Sequence, residues 1–149
     1  MRAYALDRTA DAPIDTVFAV LADGAGWSTW TRIGETSLER QGDPAPDGVG
    51  ALRLFRTGPY RTREEVTRYE PPADGSARFG YRLVSGLPVQ DYRAEVTLTA
   101  TGTTTAVHWE GSFTPGRRGT GRLTAVFLRA AVTGLLNALV TEAERRTPA

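Results

Sequence analysis

Between about residues 33 and 114, apolar side chains recur with period two. From Gly121 to Arg146 they recur at helical spacing without a further break. That one change of period confines the chain to a series of hairpins followed by a single long helix. The strand candidates are 33–40, 49–56, 60–70, 77–85, 89–100 and 104–114. Turn-forming strings separate them: Gly42 to Gly48, Thr57-Gly58-Pro59, Pro71-Pro72-Ala73-Asp74-Gly75, Ser85-Gly86-Leu87-Pro88 and Thr101-Gly102-Thr103. Gly116 to Gly121 forms a Gly/Arg-rich hinge before the helix.

Upstream, Tyr4 and Leu6 alternate with Ala5 and Asp7 in a first strand over about 2–8. Pro13 with Asp15 two residues on marks a helix start. Ile14, Val17, Phe18 and Leu21 give that helix its apolar stripe, and Asp23-Gly24 ends it. A short helix or turn with Trp27 and Trp30 follows. The order predicts one α+β domain over residues 1–149, with an antiparallel sheet wrapped around the last helix. That helix is apolar on more than one side, so it is expected to be packed on from several directions.

The inventory of reactive residues is short. There is no Cys and one His, and all 18 basic residues are Arg, set against 17 acidic residues. Disulfides, thiolate metal sites and a cysteine nucleophile are excluded. So are a Schiff-base lysine and a P-loop lysine. No cofactor or metal is expected, because dinucleotide fingerprints and metal-ligand clusters are both missing. A net charge of +1 gives no nucleic-acid footprint. The apolar run Val126 to Val140 is interrupted by Arg129, Thr133, Gly134 and Asn137, so no membrane partner is expected. The opening residues carry no apolar leader run, and the expected location is the cytoplasm.

Several local strings then occur in an informative order. They are Ala12-Pro13, the pair Trp27 and Trp30, Gly48-Val49-Gly50, Arg63-Glu64-Glu65-Val66 and Tyr69-Glu70-Pro71-Pro72. Phe79-Gly80-Tyr81-Arg82-Leu83 and Val107-His108-Trp109 complete the set. Together they resemble the START-like helix-grip superfamily (SRPBCC), in particular its polyketide cyclase/dehydrase branch. The resemblance covers nearly the whole chain. It implies a seven-stranded antiparallel sheet gripping the C-terminal helix, two short helices after the first strand, and an internal cavity for an apolar or aromatic molecule. Fold alone does not settle the reaction.

Turn counting orients the side chains. Closing the last hairpin at Thr101 to Thr104 sets Ala94 opposite Gly111, Val96 opposite Trp109 and Tyr92 opposite Phe113, all on one apolar face. His108 and Glu110 fall on the other face. Ala94 and Gly111 either leave room on the inner wall or mark a bend. Phe79, Tyr81 and Leu83 continue the inner face, where Tyr81 and Tyr92 offer hydroxyls. The turn at Thr57 to Tyr60 sets Arg53 opposite Glu64 and Ala51 opposite Val66. Val66 parity puts Arg53 and Glu64 inside, unless the pair is a rim salt bridge. The same register turns Leu52 and Leu54 outward, toward a helix or partner subunit.

The expected catalytic groups are Arg53, Glu64, Tyr81 and Tyr92. The expected ligand contacts are Trp27, Trp30, Val66, Phe79 and Leu83 from the first part of the chain. Ala94, Trp109, Gly111 and Phe113 follow from the last hairpin, and Phe127 and Ala131 from the long helix. Three functions fit. One is a cofactor-independent cyclase or dehydrase that folds a polyketone so that its reacting carbons meet. The second is a non-catalytic carrier of a lipid-like molecule. The third is an oligomeric or regulatory partner, monomer or homodimer. The basic hinge Arg117 to Arg122 also suits docking of an acidic acyl carrier protein.

Overall fold

Tight turns set the sheet. A computed structural model describes residues 1–31 and 34–148. β1 (Arg2–Ala10) leads into α1 (Ile14–Ala22) and a 3-10 turn (Ala25–Thr29). Six strands follow: β2 (Glu35–Arg40), β3 (Leu52–Thr57), β4 (Tyr60–Ala73), β5 (Ser76–Ser85), β6 (Val89–Thr101) and β7 (Thr104–Pro115). α2 (Gly121–Arg146) closes the chain. Ile33, the expected first residue of the second strand, lies outside the described residues.

The strands form one seven-stranded sheet in the order β1-β7-β6-β5-β4-β3-β2, and every neighbouring pair is antiparallel. Consecutive strands from β2 to β7 are hairpin neighbours. β1 alone pairs with a strand distant in sequence, β7. This is the helix-grip architecture expected from the sequence. The register counted from the turns holds: Arg53 faces Glu64, Ala94 faces Gly111 and Val96 faces Trp109. A bulge between Gln90 and Arg93 displaces the expected Tyr92–Phe113 pairing, with Asp91 at φ 52°. The two rings still approach, with centroids 6.5 Å apart.

The inner face of the sheet packs on α1 through Val17, Phe18, Val20 and Leu21, all buried. α2 contributes Leu128, Val132, Leu136, Leu139 and Val140. Its C-terminal half is also tied down by polar contacts. Arg8 donates to the Asn137 side-chain carbonyl, and the Asp11 amide donates to Glu144 Oε2 at 2.8 Å. Asn137 therefore marks the β1 side of the helix, exposed to solvent.

Two expectations need correction. The sheet does not cover α2 on all sides: Leu123 is 78%, Val126 66% and Phe127 60% exposed. Phe127 and Ala131, expected on the inner wall, stand on the solvent side, because Leu128, Val132 and Leu136 take the inward positions. By length and composition alone α2 is also apolar enough to cross a membrane, with a mean hydropathy of 1.8 in its most apolar window.

Leu52 and Leu54 do point to the outer face, but no partner is needed to cover them. Leu54 is buried and Leu52 is half-buried. Arg40 on β2 and Glu65 on β4 are both register neighbours of Leu52, and their ion pair at 2.7 Å spans β3 above it. Arg63 on β4 reaches Glu39 on β2 at 3.1 Å across the same strand. The arginine stems supply apolar cover while the charged heads stay wet.

Candidate functional site

Strand alternation sends Arg53 inward from β3, with its apolar neighbour Phe55 on the same face. Arg53 is only 1% exposed. Its guanidinium carbon lies 4.7 Å from the Trp27 ring centroid, 5.2 Å from Phe79 and 5.4 Å from Phe55. Such a cage stabilises a desolvated cation by about 2 kcal/mol. It satisfies none of the nitrogen–hydrogen groups, and Arg53 Nε and Nη2 are buried without a hydrogen-bond partner. An unmade bond on a buried donor costs about 1–3 kcal/mol and more for a charged one. Burial lowers the Arg53 pKa, and nearby Glu64 opposes that shift. Arginine keeps its charge even so.

Room for this side chain comes from Gly24. A Cβ there would sit 2.8 Å from Arg53 Nε. The sequence reading sees Asp23-Gly24 only as a helix stop. The Gly24 amide also donates to Asp47 Oδ1 at 3.3 Å, which fixes the loop above the arginine.

Glu64 is the direct cross-strand partner of Arg53. No ion pair or hydrogen bond joins the two side chains, so the rim salt bridge does not form. Burial pushes the Glu64 carboxyl up to about 7, with Arg53 pulling the other way. Glu64 therefore changes protonation near neutral pH, the range in which a carboxyl can both give and take a proton.

Tyrosines complete the polar set. Trp109 Nε1 donates to Tyr81 Oη at 3.3 Å. Tyr92 Oη lies 2.6 Å from Tyr4 Oη, and both residues are buried. Burial raises the pKa of all three phenols, Tyr92 to about 12. They stay protonated and act as donors rather than bases. Tyr4 is a site residue that the sequence reading misses. Its ring lies over Gly111, where a Cβ would come within 2.5 Å of Tyr4 Oη. The small pair Ala94 and Gly111 thus leaves space that Tyr4 fills.

The other expected contacts fall mostly on this face. Trp27, Val66, Phe79, Trp109 and Phe113 are buried in the core, and Ala94 is 3% exposed. Leu83 and Trp30 are half-buried against it. Trp27 and Trp30 have ring centroids 5.0 Å apart, and Trp27 reaches Trp109 at 6.3 Å. Trp27 Nε1 donates to the Leu21 carbonyl at 3.0 Å, whereas Trp30 Nε1 is buried without a partner. Phe127 and Ala131 are not brought here. His108 is on the outer face, 2.7 Å from Asp7 and 3.5 Å from Glu110, as parity expects. An open depression beside the last hairpin is lined by Ala5, Thr67, Arg82, Arg93 and Glu110, and also by Tyr4, Ala94, Gly111 and, from α2, Arg129. It borders Ala94 and Gly111, the pair at which the sequence suggests room on the wall.

The chemistry available is one buried guanidinium with free donors, one carboxyl poised near neutrality, three protonated phenols and aromatic walls. Among the described residues no group of three or more His, Cys, Asp or Glu could hold a metal ion.

Residues 1–144 match the family model described as polyketide cyclase / dehydrase and lipid transport. No curated protein sequence matches the chain. Among solved structures, a START superfamily protein from Mycobacterium smegmatis is similar with a TM-score of 0.80 at 11% identity, covering 97% of this chain and 99% of that one. The Zhui aromatase/cyclase from a Streptomyces strain is similar with a TM-score of 0.73 at 22% identity, covering 99% of this chain and 96% of its own. Norcoclaurine synthase from Thalictrum flavum, solved with dopamine and hydroxybenzaldehyde, gives a TM-score of 0.73 at 12% identity, covering 99% and 89%. At these identities the likeness is one of fold.

Proposed function

The chain belongs to the polyketide cyclase/dehydrase and lipid transport family, and on that premise we propose that it binds a hydrophobic, polyketide-like molecule on its aromatic inner face and promotes its cyclisation and dehydration. The observation that carries this reading is Arg53, a buried cation with two unpartnered nitrogens facing a carboxyl that it does not touch. A ligand carbonyl or enolate oxygen would satisfy those donors, and Glu64 would exchange the proton that enolisation requires.

In this mechanism the ligand lies between the sheet and α2, against Trp27, Phe79 and Trp109. Arg53 binds the oxygen that gains negative charge as a carbon–hydrogen bond next to the carbonyl breaks. Ionised Glu64 accepts that proton. The enolate carbon then attacks a second carbonyl folded against it, and a donor returns a proton to the new alkoxide. That carbon–carbon bond closes the ring, and loss of a neighbouring proton together with the new hydroxyl, as water, then forms a double bond in it. The aromatic walls hold the reacting carbons together, an effect that can supply several kcal/mol.

A short poly-β-ketone thioester incubated with the purified protein tests this reading. Ring formation above the spontaneous rate is expected, with a drop of at least tenfold in Glu64→Gln and in Arg53→Met. Unchanged turnover in both variants would overturn these roles. The second reading, a carrier without turnover, is favoured by one observation: Tyr4 and Tyr92 bond to each other. Recovery of the unaltered thioester from a stable complex, with no product, would support it.

A further inference from the structure

The exposed half of α2 has a distinct chemical character. Leu123, Val126 and Phe127 follow one another at helical spacing and are each more than half exposed. Arg117, Arg118 and Arg122 precede or flank them, all exposed, and Arg129 follows one turn on. Between Gly111 and Thr141 the chain carries these four arginines and no acidic residue. The other fourteen arginines are distributed among all seventeen acids, so a molecule of net charge +1 carries an excess of four positive charges in this segment. Arg2 adds to it, since its Nε would lie 3.1 Å from a Cβ on Gly121 at the start of the helix.

We propose that this face, Arg117 to Arg129, seats the protein on an anionic lipid bilayer, with Leu123, Val126 and Phe127 entering the acyl boundary and the arginines meeting lipid phosphates. Exposed apolar side chains on a helix rimmed by cations are what an in-plane membrane contact requires. The helix need not span the bilayer, so the polar interruptions that argue against a span do not bear on this geometry. A second copy is a poor occupant, because a two-fold contact would press Arg117, Arg118 and Arg122 of both copies together with no acid between Gly111 and Thr141 to separate them. An acidic protein would answer the arginines. It would also need a pocket shaped to three large apolar side chains, which a fluid lipid boundary accommodates without one. The proposal is independent of the chemistry assigned to Arg53 and Glu64.

Co-sedimentation of the full chain tests it, using phosphatidylcholine vesicles with and without an equal share of phosphatidylglycerol. Binding only to the anionic vesicles is expected, weakening sharply at high salt. Each arginine near the surface is worth about fivefold in affinity, so Arg117→Gln with Arg118→Gln should weaken binding about 25-fold. Leu123→Ser with Phe127→Ser should abolish it. Both pairs are exposed, and unchanged thermal melts would show that the fold is intact. Equal binding to both vesicle types, no binding, or binding indifferent to either pair of substitutions would overturn the proposal. So would a dimer in light scattering that Leu123→Ser with Phe127→Ser dissolves, or capture of a purified acidic carrier protein, in the absence of vesicle binding.

Discussion

Arg53 and Glu64 sit directly opposite each other on adjacent strands and make no ion pair. Opposite charges at cross-strand positions ordinarily join. Here each is held by something else: aromatic rings surround the guanidinium, and desolvation keeps the carboxyl near its neutral form. Replacing a buried charge with an apolar residue of similar volume is often neutral or stabilising. Arg53→Met is therefore expected to leave the melting temperature unchanged or raised. Ligand binding should fall at least tenfold, and the Glu64 pKa should move further up. A large loss of stability would show that the arginine serves the fold.

Glu64 gives the protein a pH signature. Its folded pKa of about 7 lies above the ordinary carboxyl value of 4.5. The folded state therefore binds more protons between these values, and stability falls as pH rises through that window. Below the lower value the penalty vanishes, and above the upper one it is complete, about 3 kcal/mol. Chemical denaturation across pH 4 to 8 checks this. Glu64→Gln should flatten the slope, and equal slopes in both proteins would contradict it.

Gly111→Ala drives a methyl group into the buried Tyr4 ring. Overpacking of this kind costs about 1–3 kcal/mol. The Tyr4–Tyr92 hydrogen bond would break as the ring moves. Adding Tyr4→Val should recover most of the loss, since the two changes share one space. A double-mutant cycle by urea melts measures the coupling, and additivity of the two losses would mean that the ring does not depend on the glycine.

The outer face of β3 should behave as core. Leu54→Ala is expected to cost about 2–3 kcal/mol although no partner covers it. Leu52→Ala should cost less, because Leu52 is only half-buried. A monomer in light scattering with these losses would confirm that the ion pairs across β3 do the covering. Recovery of stability at high protein concentration would point to a partner copy instead.

Most of the sheet was legible because hairpins declare their own register. Once Thr57 to Tyr60 and Thr101 to Thr104 are recognised as turns, counting outward places Arg53 on Glu64 and Ala94 on Gly111. Tyr4 escaped that logic. β1 has no turn joining it to β7, so nothing local ties Tyr4 to Gly111. Gly24 escaped for a similar reason: its neighbour Arg53 is far along the chain. Phe127 and Ala131 were misplaced because a helix apolar on several sides has no unique inward stripe in its periodicity. Leu128 and Val132 differ from them only in what the fold sets against them.

The position of Tyr4 links the buried phenol pair to the order of assembly. Its partners Tyr92 and Gly111 stand 88 and 107 residues downstream. Contacts of such sequence separation carry the largest loop-closure penalty. A nascent or partly opened chain can hold every hairpin from β2 to β7 and still lack this phenol pair. The hydroxyl network is complete only when the first strand has docked on the last, so a half-folded molecule cannot present a finished site.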